Sequence, residues 1–546
     1  MPVVTPYSNL TALVIDDMPT QQTTLRGQLT LLGIGKVEAA SNADDAIKHI
    51  RAKRYSLILC DYNLNNKTDG QQLLEFLRDN ELLPPDCVFF MVTAESTYSS
   101  VAAATEHTPD AYLLKPITVS DVEERLKALI EKRQVLLPVT QRLGRDDLMG
   151  AVLECDKLIA AQGRYSMQAT QLKGTSLLKL GKNDEAKTLY RDALEKRADM
   201  VWAQLGLARA HKAAGQFEEA KMLAQQIISS PDGEKNMAAY DVMAETLEAQ
   251  GDMEGALWVL KDSATVVPSA RRQRVLGECA FRNGDLATAK ENLAKSTKAT
   301  KGSAIAHPQD TLTLAQTLVD MGEAPEAIKL LTDGLTTHRN NPVFESVAHS
   351  IKAQALIKTG DKANAQAAIA KARESMRKGK ADFGTVALAK AELAAGNETE
   401  GYRLLETAIS ADHENPIIKQ IIGKALKDTG HADKIEEVIQ AAVQVLERKV
   451  VDAKKLFRES QIDEALAAIE AAARDYPDNT GVLLQAAQIN CMALRLKKEH
   501  NRTMIERVKV YLTRLDKLMP GSDRVTMMKR YFRETVSSIE ASALQH

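Results

Sequence analysis

"LILCDYNLNNKTDG", residues 57–70, opens as an apolar run fit for a buried strand and turns polar at Asp61. A lone carboxylate at the end of such a strand is costly to bury, so Asp61 needs either partners or a chemical task. The neighbouring sequence supplies candidates for both.

Between residues 11 and 132 short β-branched runs alternate with longer amphipathic stretches. "ALVID" (12–16), "KVEAA" (36–40), "LILCD" (57–61), "CVFFMVT" (87–93) and "AYLLK" (111–115) read as five strands, each followed by a segment of helical length. The last of these segments contains "SDVE", in which Ser120 and Glu123 have the spacing of a capping box. Five β/α units in about 120 residues predict a doubly wound parallel sheet, and such sheets gather chemistry at the carboxyl ends of their strands.

At that edge the first strand delivers Asp16 and Asp17, the third Asp61, the fourth Thr93, and the fifth Lys115 followed by Pro116. Three crowded carboxylates repel one another unless a cation lies among them, and hard oxygen ligands with open positions suit Mg²⁺. A carboxylate nucleophile, a metal, a hydroxyl and an ammonium are the parts that phosphoryl transfer requires. Asp61 is therefore the expected phosphoryl acceptor, with Thr93 and Lys115 stabilising the phosphoryl oxygens.

This ordered set resembles the response-regulator receiver domain of two-component signalling. The resemblance implies that Asp17 and Asp61 ligate Mg²⁺ directly, Asp16 through water, and Asn63 through its backbone carbonyl. It also implies that Thr93 and Tyr112 form a coupled switch pair, and that Asn63 and Glu95 tune the phosphoryl lifetime in the manner of short-lived chemotaxis receivers. The loop departs from the family pattern at Asn65, where many members have proline, and Asp69–Gly70 arrives one residue late. The implied phosphodonor is a histidine kinase or a histidine phosphotransfer protein.

Beyond Lys132 the strand signal disappears. "RQVLLPVTQRLGRDD" reads as a connection, with the last helix of the first domain running into part of it. A glycine then recurs at Gly181, Gly215, Gly251, Gly284, Gly322, Gly360, Gly396 and Gly430, at spacings of 34, 36, 33, 38, 38, 36 and 34. Seven residues before each glycine stands Gly or Ala, and five residues after stands Ala or Gly, except at Ile435. Ser460 continues the register between Ala453 and Ala465. Glycine ends one helix and permits the turn, while the small residues let paired helices approach closely. A single hairpin cannot bury its apolar face, so neighbouring hairpins must stack. The pattern resembles the tetratricopeptide repeat and implies a protein-binding solenoid. The expected organisation is a phosphoacceptor domain at 1–132, a connection at 133–145, repeats at 146–485 and a helical cap at 486–546.

Composition limits the rest. The chain has 546 residues, 44% of them hydrophobic, and a net charge of −2, so no global field recruits nucleic acid or anionic membrane. No run approaches the ~18 apolar residues of a spanning helix. Five scattered cysteines without a C-x-x-C pair read as reduced thiols in a cytoplasmic protein. No P-loop, dinucleotide-binding or zinc-protease motif follows residue 132, so no enzyme is expected beyond self-phosphorylation and self-dephosphorylation. "RLKKEHNRTMIERVKVYLTRLDK" (495–517) holds eight basic residues against three acidic ones but a single aromatic, Tyr511, and reads as a solvated helix face. Two alternatives to a signalling adaptor remain at this stage. One is a nucleic-acid-binding regulator using that basic segment, and the other is a phosphate sink for a cognate kinase.

Overall fold

The computed structural model describes residues 7–64, 68–80, 82–84, 87–94, 108–145, 147–231, 233–303, 305–339, 341–378, 382–411, 416–497, 501–519 and 523–543. The chain forms two compact units, Met1–Asp310 and Thr311–His546.

The first unit begins with five parallel strands, β1 (Thr11–Ile15), β2 (Lys36–Ala40), β3 (Leu57–Asp61), β4 (Val88–Thr93) and β5 (Ala111–Leu114), in the order β2-β1-β3-β4-β5. All five residues of β3 and all six of β4 are buried, which explains their unbroken apolar character. Successive side chains point to opposite faces. Leu13, Ile15, Ile58, Cys60, Phe89 and Met91 share one core with α2 (Ala43–Ala52) and α3 (Gly70–Asp79). Ala12, Val14, Leu57, Leu59, Phe90 and Val92 share the other with α1 (Pro19–Leu31) and the helix Val119–Leu143. Strand order reverses direction between β1 and β3, and the loops that leave those two strands carry the acidic residues.

Helix Val119–Leu143 differs from expectation at its start. Its capping box is formed by Thr118 and Asp121, not by Ser120 and Glu123. Thr118 has the extended backbone that an N-cap requires, whereas Ser120 already lies inside the helix. The helix also continues through residues 133–143, so the link to the repeats is helical, with Pro138 in its interior. Pro138 frees the carbonyl of Gln134, and both residues are exposed, so water can satisfy it. Val122 and Leu126 pack in the sheet domain, while Leu136 and Val139 pack with Ala151, Cys155 and Ala169 of the first repeat helices.

The remaining helices are hairpins. All eight register glycines adopt positive φ, from 67° at Gly181 to 87° at Gly322, and Ser460 takes the same turn at 64°. The small residues around them are closed off: Ala186, Ala208, Ala220, Ala256, Ala289, Ala315, Ala327, Ala353 and Ala389 are all 0% exposed. Ile435 breaks the series because a short 3₁₀ turn, Ala432–Lys434, follows Gly430 and leads into a 24-residue helix, Ile435–Arg458, which runs on to the Ser460 turn. Helices Thr480–Lys497, Arg502–Leu518 and Asp523–Ala543 close the second unit around a core that includes Leu494, Val508, Leu515 and Phe532. The five cysteines are buried, and none of them forms a disulfide. None of the described helices is long and apolar enough to cross a membrane.

Close approach of helices explains the need for small residues. A Cβ on Gly174 would lie 2.5 Å from the Tyr190 ring, and one on Gly206 2.3 Å from the same ring. Gly206→Val is therefore expected to destabilise the first unit by ~1–3 kcal/mol through overpacking, read as a lower melting temperature by circular dichroism. An unchanged melting transition would show that Tyr190 can move aside at no cost.

Candidate phosphoacceptor and metal site

The site is assembled by the ends of three strands. Asp16 and Asp17 follow β1 directly, and Asp61 is the last residue of β3. One carboxylate oxygen from each of the three lies within 4.8 Å of the others. Asp16 is fully buried and Asp61 is 8% exposed. Lys115, just past β5, donates from Nζ to Asp61 Oδ2 at 2.9 Å and to Asp16 Oδ2 at 3.3 Å. Its stem is carried by a backbone bond from Lys115 N to Thr93 O, 2.8 Å, and the Lys115–Pro116 peptide is cis.

The backbone of the β1 loop is held in turn. Asp16 Oδ1 accepts from the Met18 amide at 2.9 Å, and Gln22 Nε2 donates to the carbonyl of Asp16 at 2.6 Å and to that of Ala40 at 3.3 Å. On the other side, Asp69 caps α3 in a capping box with Gln72. This brings the start of α3 so close to β3 that a Cβ on Gly70 would stand 2.3 Å from the carbonyl oxygen of Asp61. Gly70 and Gln22 are thus supporting residues that the strand-end argument did not single out. The Asp69–Gly70 pair was the available signal for the first, and a lone glutamine in α1 gave none for the second.

Burial raises the Asp61 carboxyl above its ordinary value, and the neighbouring Asp16 adds to this, while Lys115 opposes both. Lys115 itself is raised, because its two carboxylate partners outweigh its partial burial. Burial also holds the Cys60 thiol, whose Sγ donates to the Asp61 carbonyl at 3.3 Å, well above the usual thiol range. The pocket edge is therefore electrically dominated by carboxylates and one ammonium. Three oxygen donors at this spacing are the chemistry of a hard divalent cation, and they fit Mg²⁺.

The other expected residues are placed as follows. Thr93 ends β4 and is 2% exposed. Tyr112, in β5, packs against the core beneath the site, and its hydroxyl is buried without a hydrogen-bond partner. Burial, followed by the nearby Tyr62, pushes its phenol up to about 12. Asn63 lies on the exposed surface two residues past Asp61. Glu95 falls outside the described residues.

A family model described as the response regulator receiver domain matches residues 12–127, and one described as the tetratricopeptide repeat matches residues 177–239. The chain is 27% identical over 192 residues to the alkaline phosphatase synthesis transcriptional regulatory protein PhoP of Bacillus subtilis, covering 34% of this chain and 77% of that one. It is 25% identical over 124 residues to chemotaxis protein CheY-3 of Vibrio cholerae, covering 23% and 94% respectively. A tetratricopeptide repeat protein from Parabacteroides merdae superposes on 54% of this chain and 98% of its own, with 14% identity and a TM-score of 0.33, too loose to carry an argument.

If the three carboxylates hold the cation together, Mg²⁺ titrated calorimetrically into the chain should bind, and Asp17→Asn should weaken it by about tenfold or more, since a neutral amide is a poorer ligand for a hard ion. Equal affinity in the variant would remove Asp17 from the ligand set.

Proposed function

We infer, from a response-regulator receiver domain joined to tetratricopeptide repeats, that Asp61 accepts a phosphoryl group and that its phosphorylation controls how the repeats engage a protein partner. That the chain is a response regulator with a protein-interaction region follows from its two matched families. The identity of the acceptor and the control are our reading. The observation that carries it is the placement of Asp61, 2.9 Å from the Lys115 ammonium and within 4.8 Å of two further carboxylates.

In this reading a phosphohistidine of a histidine kinase or phosphotransfer protein presents its phosphorus to an oxygen of Asp61. The Asp61 O–P bond forms as the histidine N–P bond breaks, and the departing imidazole takes up a proton. Lys115 and the Thr93 hydroxyl neutralise charge on the phosphoryl oxygens. Asp17, Asp61 and the Asn63 carbonyl, with Asp16 through water, would hold Mg²⁺, which would supply further neutralisation of that charge. Hydrolysis reverses the state: water attacks phosphorus, the acyl phosphate P–O bond breaks, and Asp61 returns as a carboxylate with release of inorganic phosphate. No other chemistry is assigned to the chain.

Two features support coupling to the repeats. Thr68, just before α3, meets the repeat region: its Oγ1 and Ser303 Oγ are 2.7 Å apart, and Ile305 packs against the sheet-domain core. Helix Val119–Leu143 packs in both domains at once. A change at the β3–α3 loop is thus met directly by a repeat segment, the kind of two-state contact that a switch requires. The nucleic-acid alternative is disfavoured because the basic C-terminal residues already have partners. Arg495 stacks on Tyr531 and donates to Thr535, Arg507 pairs with Glu470, and Arg514 pairs with Asp478.

The test uses acetyl phosphate with Mg²⁺ as a small-molecule donor and intact-mass spectrometry as the readout. Wild type should gain one phosphoryl group and Asp61→Asn none; persistent labelling of the variant at another residue would refute the acceptor. In parallel, beryllofluoride should alter amide exchange around residues 301–309 in wild type and leave Asp61→Asn unchanged. No response there, with the mimic bound, would sever the coupling from this contact.

A further inference from the structure

The edge of the sheet opposite Asp61 carries a second feature. A cleft of about 1400 Å³ opens at the amino ends of β3, β4 and β5 and extends to the first repeat helices. Its rim holds Arg51, Arg54, Arg78, Arg145 and Lys179. None of these five side chains has an ion-pair or hydrogen-bond partner among the described residues. The two other cations of the cleft are already used. Lys53 pairs with Glu38, and Arg133 donates to the Cys87 carbonyl and contacts Asp110 at 3.4 Å, the only carboxylate that lines the cleft among the described residues.

Five unpaired cations around one opening stand out in a chain whose net charge is −2. Their mutual repulsion brings no folding benefit, and they come from four separate stretches of chain that the fold converges. Four of the five are arginines, whose planar fork suits bidentate contact with phosphate and whose charge persists at any physiological pH. Between them the wall is apolar, with Ile50, Leu82, Leu83 and Leu172 lining the cleft. The volume exceeds the ~300–1,000 Å³ of ordinary small-molecule pockets and leaves room for several phosphates together with an organic body.

We propose that this cleft binds a small molecule bearing two or more phosphate groups, such as a nucleoside polyphosphate, at the junction of the receiver domain and the first repeat. The phosphates lie among the arginines and Lys179, and a base or other flat apolar body rests on the leucine and isoleucine wall. Because Arg51, Arg54 and Arg78 belong to the receiver and Lys179 to the first repeat hairpin, the ligand contacts both. The site is distinct from the Asp61 cluster, and its occupancy does not depend on phosphorylation chemistry.

The test is calorimetric titration of the full-length chain at ~150 mM salt with sodium tripolyphosphate, GTP and a poly-glutamate peptide. Binding of tripolyphosphate and GTP is expected, together with a loss of about tenfold or more in the double variant Arg54→Glu/Arg145→Glu. Both residues are exposed, so that variant should keep the wild-type melting temperature and its phosphoryl uptake at Asp61. Tighter binding of GTP than of tripolyphosphate identifies a nucleotide, and equal binding identifies inorganic polyphosphate as the source of the same chemistry. Absence of binding by both phosphates at ~1 mM, undiminished binding in the double variant, or binding of poly-glutamate alone would each overturn the proposal. The last of these outcomes would assign the cleft to an acidic protein segment.

Discussion

The sheet domain is organised around one ammonium group placed between two buried carboxylates. Like charges whose oxygens lie within 4.8 Å of one another repel by roughly 3–4 kcal/mol per pair at an effective dielectric of ~20. Lys115 offsets part of this by donating to Asp61 and Asp16 together. Three carboxylates share this one ammonium, so the cluster itself is short of positive charge. That shortage distinguishes a site from a salt bridge: a structural pair would be satisfied, whereas this one keeps carboxylate oxygens in excess and so attracts a cation. The supporting contacts follow from the same demand. Gln22 ties down the β1 loop, and Gly70 lets α3 start against the backbone of Asp61, so the carboxylates are held close although they repel.

The solenoid obeys a different constraint, one of volume. Its helices approach so closely that the positions flanking the turns are glycine or alanine, with Ile435 the exception, and the turn itself needs left-handed backbone. These requirements write themselves into the sequence at fixed register, which is why every repeat turn from Gly181 to Gly430, and the Ser460 turn without glycine, was legible in advance. Strand positions were equally legible: all five predicted strands begin and end within one residue of the observed bounds, most plainly β3 and β4, whose two buried faces leave an unbroken apolar run. The Asp16, Asp17, Asp61 and Lys115 convergence was readable for a related reason, since parallel topology fixes which strand ends share an edge.

What the sequence hid was settled by single local competitions or by distance along the chain. Thr118 and Ser120 both offer a capping hydroxyl, and only the backbone direction entering the helix decides for Thr118. The last sheet-domain helix was expected to enter the connection, but the sequence did not say how far: it runs past Pro138 to Leu143. Thr68 meets Ser303 across 235 residues, and no periodicity reports such a contact. The cationic cleft is of the same kind. Arg51, Arg78, Arg145 and Lys179 are unremarkable surface residues in four different segments, and only the fold brings them around one opening.

The two charged regions also answer a question that net charge leaves open. The C-terminal segment 495–517 looks the more basic by composition, but several of its arginines are taken up by Glu470, Asp478 and the Tyr531 ring, so little of that charge faces outward unopposed. The cleft beneath the sheet looks ordinary in sequence, yet five of its cations lack partners among the described residues. Attraction for an anion depends on uncompensated charge near a low-dielectric wall, not on a count of Lys and Arg. By that criterion the cleft at the amino edge of the sheet attracts anions more than the C-terminal segment does, while the carboxyl edge attracts a cation. A single small parallel sheet thus presents opposite electrostatic demands at its two ends, and the helix Val119–Leu143 carries the domain that holds both directly into the repeats.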